Sequence, residues 1–387
     1  MKLLSQIEDE KHALLNYYEK PSVEITKWKE GNRKVFGYLC SYVPEEILFA
    51  AEILPVRIFG HLGDLTASTS HFQPFVCRLV KSVLDAGLTG KLDFLDGLIV
   101  SYTCDGMRML YDSWYSAVSG GFTYLLDLPS SLDRAPNRKY FEESIRELVK
   151  EIECFGHDPL NLDKLRESIK VYNRYRVLAK KLHTLRLNND LPLSSSEVLK
   201  INLGAMRAPK DRHNEVLSRF LVLLEEWVDT KATLPSPPKP KIHVSGSLVV
   251  DPVFYEIIDK AGGVVVSDDL CTGTRYYWDQ VEETVDPLKG LINRYLSKVT
   301  CPSKYPSQNR PAFVLDRIRE SSAQGVIIIG EKFCDPHLFD LPAIQKKIEA
   351  LGVSTLWLET ELAASGQEQL MTRIESFMGI LKKDEEQ

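Results

Sequence analysis

The chain lacks long apolar runs. No segment holds about 18 consecutive apolar residues, the length that a membrane-spanning helix needs. Residues 1–20 are polar and mixed in charge, without the apolar core of a signal peptide. From both features we expect a cytoplasmic protein, in which glutathione and thioredoxin keep thiols reduced. Disulfide bonds are therefore the weaker account of its cysteines.

Motifs for nucleotides and nucleic acids are also missing. The formal net charge is −6 and no long basic run occurs, which argues against a nucleic-acid surface. The chain contains neither Gly-x4-Gly-Lys nor Gly-x-Gly-x-x-Gly after a predicted strand, so ATP and nicotinamide cofactors should bind elsewhere. The composition, with 44% apolar and 26% charged residues, is typical of a globular protein, and the length of the chain suggests two or three domains.

Cysteine is scarce, but its distribution is informative. Six of the seven cysteines fall three and three on two halves of the chain that look like copies of one α/β unit. The first set is Cys40, Cys77 and Cys104, the second set is Cys271, Cys301 and Cys334, and Cys154 stands apart in a helical stretch. We therefore expect Cys154 to be an ordinary packing residue and the six to share a role.

The spacing of the six cysteines bears on the kind of site they could form. Structural zinc sites use short local pairs such as Cys-x2-Cys, whereas every gap among the six exceeds twenty residues. Only the tertiary fold could assemble such a site, and iron–sulfur clusters are held by thiolates. Six thiolates suit one large cluster, or two cubanes with three protein ligands each. The alternative is that each is a small buried apolar residue, the commoner role of an isolated cytosolic cysteine.

Two of these cysteines follow similar predicted strands. Residues 96–100 form an apolar run that ends shortly before Cys104 and Asp105, and residues 324–329 form another before Cys334 and Asp335. Continuous β-branched runs bounded by glycine are typical of parallel strands covered on both faces. Because ligands of open α/β sheets bind outside the carboxyl ends of the strands, both Cys-Asp pairs are candidate binding positions.

The pattern along the chain predicts an α/β fold. We expect two lobes with parallel sheets, facing each other across a cluster-binding cleft, plus a helical insertion in which Ser194 and Glu197 form a capping box. The predicted divisions are an N-terminal helical segment at 1–30, a first α/β lobe at 31–137, a helical region at 138–233, a proline-rich linker at 234–241 and a second α/β lobe at 242–387.

Four strings carry a family resemblance. They are GYLCSYVPEEI at 37–47, SYTCD at 101–105, KFCD at 332–335 and TRIESF at 372–377. With them the chain resembles the iron–sulfur subunits, or D-components, of the 2-hydroxyacyl-CoA dehydratase and benzoyl-CoA reductase family. The resemblance implies two Rossmann-like lobes, a [4Fe-4S] cluster on three cysteines and an ATP-hydrolysing activator, with its own [4Fe-4S] cluster, that delivers low-potential electrons. Cys77, Cys104 and Cys334 match that three-cysteine pattern by context.

The chain departs from the usual pattern by supplying three more cysteines, Cys40, Cys271 and Cys301. Six ligands are similar to the family's double-cubane branch, which implies an [8Fe-9S] cluster in each chain of a homodimer and an ATP-coupled oxidoreductase acting on a small molecule. One alternative is a single [4Fe-4S] subunit of a 2-hydroxyacyl-CoA dehydratase, which is a lyase, or of a benzoyl-CoA reductase. A further alternative is a two-lobed binding protein without chemistry.

Reduction of a small molecule also needs protons. The candidate donors near the predicted ligands are His61, His71, His337, Tyr102 and Asp105. Each has the alternative of a surface or packing role, which is the commoner fate of a histidine or tyrosine in a loop.

Overall fold

The computed structural model describes residues 2–118, 120–188, 190–230, 239–305, 309–363 and 366–385. Most of the predicted proline-rich linker, residues 234–238, lies outside the described residues. The chain begins with two helices, α1 (Lys2–Glu19) and α2 (Pro21–Lys29), within the predicted N-terminal helical segment.

The first α/β unit alternates strands and helices. Its elements are β1 (Lys34–Leu39), α3 (Glu45–Ala50), β2 (Ile53–Arg57), a short 3-10 turn (Ser68–Ser70), α4 (Arg78–Leu88), β3 (Gly97–Ser101), α5 (Asp105–Ala117) and β4 (Phe122–Leu126). Four helices follow: α6 (Ala135–Gly156), α7 (Leu162–Asn188), α8 (Ser195–Ala205) and α9 (Lys210–Asp229). The predicted capping box is confirmed, because the Glu197 N–H donates to Ser194 Oγ and the Ser194 N–H donates to the Glu197 carboxylate.

The second α/β unit repeats the first with more helices. Its elements are β5 (Lys241–Gly246), α10 (Val253–Lys260), β6 (Val264–Asp268), α11 (Thr274–Tyr277), α12 (Pro287–Ser297), α13 (Asn309–Ser321), β7 (Gly325–Glu331), α14 (Asp335–Glu349), β8 (Ser354–Thr360) and α15 (Gln367–Glu385). Among the described helices, none combines the length and the apolar character that crossing a bilayer requires.

The two sheets confirm the predicted α/β class. Each has four parallel strands, in the order β2-β1-β3-β4 and β6-β5-β7-β8, so the two units share one topology. Strands β3 and β7 are buried along their whole length, as a sheet covered on both faces requires. Gly97 in β3 lies so close to the Phe36 and Phe122 side chains that a Cβ atom would stand 2.8 Å and 2.9 Å from them.

The shared topology is not matched by the cysteines one for one. Cys104 and Cys334 are equivalent, since each follows the third strand of its unit and precedes the next helix. Cys40 directly follows β1, and Ser247 stands at the corresponding place after β5. Because Cys271 and Cys301 both lie between β6 and β7, the three-and-three division along the chain is not an exact repeat.

A buried ionic cluster ties the helical region to both units. The Arg176 guanidinium of α7 donates to the Glu46 carboxylate of α3, and the Tyr295 hydroxyl of α12 donates to the same carboxylate at 3.0 Å. Burial alone would raise the pKa of Glu46, but Arg176 and Arg294 hold it below its usual value. Charges removed from water are tolerated only when paired in this way.

Candidate functional site

All six cysteines singled out from the sequence line one cavity of about 100 Å³ between the two units. Three of them lie just beyond the carboxyl ends of strands, where open α/β sheets bind ligands. They are Cys40 after β1, Cys104 after β3 and Cys334 after β7. No cysteine is in a disulfide. Cys154 is exposed on α6, so the expectation that it is a packing residue is wrong. The fold therefore assembles residues that lie more than twenty positions apart in the sequence.

Three of the cysteines stand at the starts of helices. Cys77, Cys104 and Cys334 are the residues at the N-caps of α4, α5 and α14, and we call them the cap group. Burial raises the pKa of Cys77 to about 12, an effect that the backbone N–H of Val80 partly offsets. Burial and the neighbouring Cys77 thiol raise the pKa of Cys334. Helix N-termini favour negative charge, so each of these sulfurs faces donors suited to a thiolate.

The other three cysteines have different neighbours. Burial raises the pKa of Cys40, and the thiols of Cys301 and Cys271 raise it further. We call Cys40, Cys271 and Cys301 the inner group. Arg57 donates to the Cys271 sulfur at 3.2 Å and to the Cys271 carbonyl oxygen at 2.7 Å. The inner group combines one cysteine of the first unit with two of the second. The Cys104 thiol of the cap group also interacts electrostatically with Cys301 and Cys40, so the neighbours cross the two sequence halves.

Basic side chains surround the inner group. Arg57, Arg275 and Lys298 line the cavity with exposures of 3%, 3% and 2%. Arg275 donates to the carbonyl oxygens of Gly246 and Ser247 at 2.9 Å and 3.1 Å. Lys298 donates to the carbonyl oxygen and the hydroxyl of Ser41 at 2.6 Å and 3.0 Å. Burial and the nearby Arg294 lower the pKa of Lys298 to about 7.

Sequence reasoning missed these three cations. Arg275 lies four residues after Cys271 and Lys298 lies three residues before Cys301, so short cysteine-to-base spacings could have indicated two of them. Arg57 gave no local indication, because it is 214 residues from the cysteine that it contacts.

One carboxyl group lies in the cavity on the side of the cap group. Glu331, at the end of β7, is 4% exposed, and its charge acts on the Cys77 thiol. The Leu362 N–H donates to Glu331 Oε2 at 2.6 Å, while Oε1 is buried without a hydrogen-bond partner among the described residues. Burial raises the pKa of Glu331 to about 7.

Of the five candidate proton donors, His337 lines the cavity. It is 3% exposed, and its Nδ1 atom has no hydrogen-bond partner in the described part of the chain. Burial, together with Arg310 and Arg275, lowers the pKa of His337 well below its usual value, which favours the neutral imidazole. As a neutral ring it can exchange hydrogen bonds with a molecule in the cavity.

The other four candidates lie outside the lining formed by the described residues. His61 contacts the buried Asp85 carboxylate, with 3.0 Å between Nε2 and Oδ2. His71 is exposed at the end of the 3-10 turn. The Tyr102 hydroxyl donates to the exposed Asp105 carboxylate at 3.5 Å, beside Cys104.

Within the described ranges, no three His, Cys, Asp or Glu side chains are placed to hold a single metal ion. The six sulfurs are instead spread over the walls of the cavity.

Comparisons with known proteins show the family of the chain. The family model described as 2-hydroxyglutaryl-CoA dehydratase, D-component, matches residues 40–381. A benzoyl-CoA reductase subunit of Thauera aromatica is 28% identical over 327 residues, which cover 82% of this chain and 83% of that protein. The beta subunit of (R)-phenyllactyl-CoA dehydratase of Clostridium sporogenes is 23% identical over 362 residues, covering 93% and 95%. The beta subunit of (R)-2-hydroxyglutaryl-CoA dehydratase of Acidaminococcus fermentans is 24% identical over 381 residues, covering 94% and 98%.

Proposed function

Because the chain belongs to the family of the 2-hydroxyglutaryl-CoA dehydratase D-component, we propose that it is an iron–sulfur reductase component. In this proposal it accepts low-potential electrons from an ATP-hydrolysing activator and passes them to a small molecule. Its cofactor is a double-cubane [8Fe-9S] cluster. The relatives named above are subunits of dehydratases and of a reductase, so the proposal stays within the chemistry of their names.

The observation that carries the proposal is the convergence of six free cysteines on one cavity. The cap group of Cys77, Cys104 and Cys334 would hold one cubane, and the inner group of Cys40, Cys271 and Cys301 would hold the other. The donor set fits an iron–sulfur cluster, because thiolates are its usual ligands and buried cations balance its negative charge. When bound, the cluster supplies one-electron chemistry at low potential.

The remaining residues of the cavity would prepare the site for a small substrate. Leu39, Ile58 and Phe59 contribute apolar walls that exclude water. The buried imidazole of His337 would orient the substrate and exchange a proton at a ring nitrogen, Nδ1 being free of protein partners among the described residues. The other candidate donors could serve only protons that reach the cavity from outside. They are His61, His71, Tyr102 and Asp105.

The proposed electron donor is a separate ATPase with its own [4Fe-4S] cluster, and the proposed acceptor is a homodimer of this chain. The absence of a nucleotide-binding string in the sequence supports a separate ATPase. Two exposed aromatic residues adjoin the cap group: Phe75 precedes Cys77 by two positions and is 64% exposed, and Phe333 directly precedes Cys334 and is 43% exposed. They provide apolar surface for a transient redox encounter near the cluster.

A second candidate function is a single-cubane subunit of an acyl-CoA dehydratase. The names of two relatives, which are dehydratase beta subunits, favour it. In that case the cap group alone would bind a [4Fe-4S] cluster, and the inner group would hold no iron.

Iron and acid-labile sulfide analysis of anaerobically purified protein separates these functions. We expect about eight irons per chain, as two linked cubanes contain. A value of about four would favour the single-cubane subunit. Protein that stays colourless after iron–sulfur reconstitution would contradict both candidates and leave a binding protein.

A further inference from the structure

The cap group and the inner group are surrounded by opposite charges. Arg57 and Arg275 carry full positive charges at the inner group, and both are buried. The thiol of Cys271 raises the pKa of Arg57. The pKa of Arg275 is raised first by the Asp269 carboxylate and then by the thiols of Cys271 and Cys301. Both guanidinium groups therefore interact electrostatically with this half of the cavity.

The positive charge of Arg57 at the inner group is not cancelled by the nearest carboxylate. Asp269 lies two residues before Cys271, but it accepts a hydrogen bond from Arg310 Nε at 3.0 Å. The fully buried Arg310 also pairs with Asp340, and Asp269 interacts electrostatically with Arg275 as well, so these two arginines and two carboxylates balance one another. Arg57 contacts no carboxylate in the described part of the chain; its side chain donates instead to the Met206 sulfur and to the sulfur and carbonyl oxygen of Cys271.

The cap group has weaker positive charge and one acid. Each helix N-terminus is equivalent to about half an elementary charge, and its effect fades within the first turn. Glu331 lies on this side and raises the pKa of the Cys77 thiol. A negative charge added to the cavity is therefore more stable at the inner group than at the cap group, because buried full charges act through a low dielectric.

We propose that Arg57 makes the inner group the half of the cluster that takes up the first added electron, and that Glu331 holds the cap group at a lower potential. This inference rests on the proposed function. With the cluster bound, one electron from a low-potential one-electron donor would reduce one ferric iron to ferrous iron, and no bond would form or break. The cap group, which adjoins the exposed Phe75 and Phe333, would then receive electrons and the inner group would store them.

The N–H···S contact of Arg57 is the part of this arrangement that a substitution can remove most cleanly. Hydrogen bonds to sulfur and net charge near a cluster both set its reduction potential. Arg57→Met removes the contact and the charge, whereas Arg57→Lys keeps the charge. Arg207→Met is the matched control, since the Arg207 guanidinium lies over the same Phe59 ring, 4.8 Å from its centre against 5.5 Å for Arg57, and contacts no cysteine in the described residues.

The test is a potentiometric titration of the reconstituted full-length protein, followed by electron paramagnetic resonance, with iron content measured on each sample. We expect two one-electron steps. Arg57→Met should lower the equilibrium constant of the higher-potential reduction step by about tenfold or more. The reduction potential of that step then falls by ~59 mV or more. Arg57→Lys should recover part of this shift. With the titration run above pH 7, where the Glu331 carboxyl is ionised, Glu331→Gln should raise the lower-potential step by a similar factor. Arg207→Met should move each step less than Arg57→Met moves the first.

Iron content distinguishes the failure of this inference from the failure of the proposed function. About four irons per chain in the unsubstituted protein would overturn both. About eight irons, with Arg57→Met moving neither step or only the lower one, would overturn this inference alone. If the Arg57→Met variant does not bind iron, the titration of the Glu331→Gln variant decides. A rise in potential confined to the higher-potential step would refute the assignment of the two steps to the two groups. Thermal unfolding of each variant checks that the fold is intact.

Discussion

Cys154 and Cys104 have the same side chain but opposite surroundings. Cys154 is exposed on α6, whereas Cys104 lines the cavity at the start of α5. We predict that Cys154→Ser keeps the full iron content. Serine at Cys104 or at Cys334 should lose or degrade the cluster, because a hydroxyl is a poor replacement for a thiolate ligand. Iron and sulfide per chain, with the visible absorbance, measure the outcome.

Cys154→Ser is the matched control for handling and oxidation, since it changes the same atom outside the cavity. Equal iron content in all three variants would refute the assignment of Cys104 and Cys334 as ligands. Loss of iron in the Cys154 variant alone would place the cluster elsewhere.

At the scale of single residues, the sequence was informative where chemistry and position coincide. A cysteine just beyond a buried strand predicts a binding position, and Cys104 and Cys334 both line the cavity. Arg57, Arg275 and Lys298 were not predicted, because an arginine or lysine in a sequence is far more often solvated. Their burial distinguishes these three basic side chains from solvated ones, and burial at this depth depends on the packing of both units.

At the scale of elements, the apolar patterns of the strands predicted the fold, whereas the spacing of the cysteines did not predict how they group. The apolar runs before Cys104 and Cys334 are strands β3 and β7, and both sheets have the same strand order. The grouping of the cysteines could not be predicted from their sets of three along the chain. Cys40 lies with Cys271 and Cys301 because the carboxyl ends of two separate sheets face one cavity, and that contact depends on how the units pack.

The packing of α3 against α7 offers a test of what holds the units together. Two ion pairs connect this region: the Glu46 carboxylate with Arg176, both buried, and the Glu52 carboxylate with Lys164, both more than half exposed. We predict that Glu46→Gln lowers the free energy of unfolding by about 3–5 kcal/mol, because it leaves a buried guanidinium without its partner. The matched control Glu52→Gln should cost at most about 1 kcal/mol. Denaturant unfolding measures both changes.

The same pair gives an expected pH dependence. The pKa of Glu46 lies below its usual value of 4.5, so its stabilising effect is present above that value. It should be lost as the pH falls through the lowered pKa. The stability difference between the unsubstituted protein and Glu46→Gln should therefore be constant at neutral pH and shrink in acid. A difference that grew in acid would contradict the assignment of a charged Glu46.

At the scale of the whole molecule, the prediction concerns the partner. The sequence contains no nucleotide-binding string, and the family to which the chain belongs has subunits named as dehydratases and reductases. We predict that multiple turnover requires a separate ATPase that carries its own cluster. Its docking should be transient, because the activator must leave between electrons, and small interfaces permit that. The assay measures substrate reduction with activator, ATP and a strong reductant, each omitted in turn.

Surface variants test where on the molecule the activator docks. Phe75→Ser and Phe333→Ser should lower the activator-dependent rate, since both exposed rings adjoin cap-group cysteines. Tyr115→Ser is the matched control, because this 72% exposed ring lies ten residues after the start of α5, roughly 15 Å along the helix axis. Reduction by a chemical donor should be unchanged in all three variants. Undiminished multiple turnover without ATP and activator would refute the coupling and favour an ordinary ferredoxin-dependent enzyme.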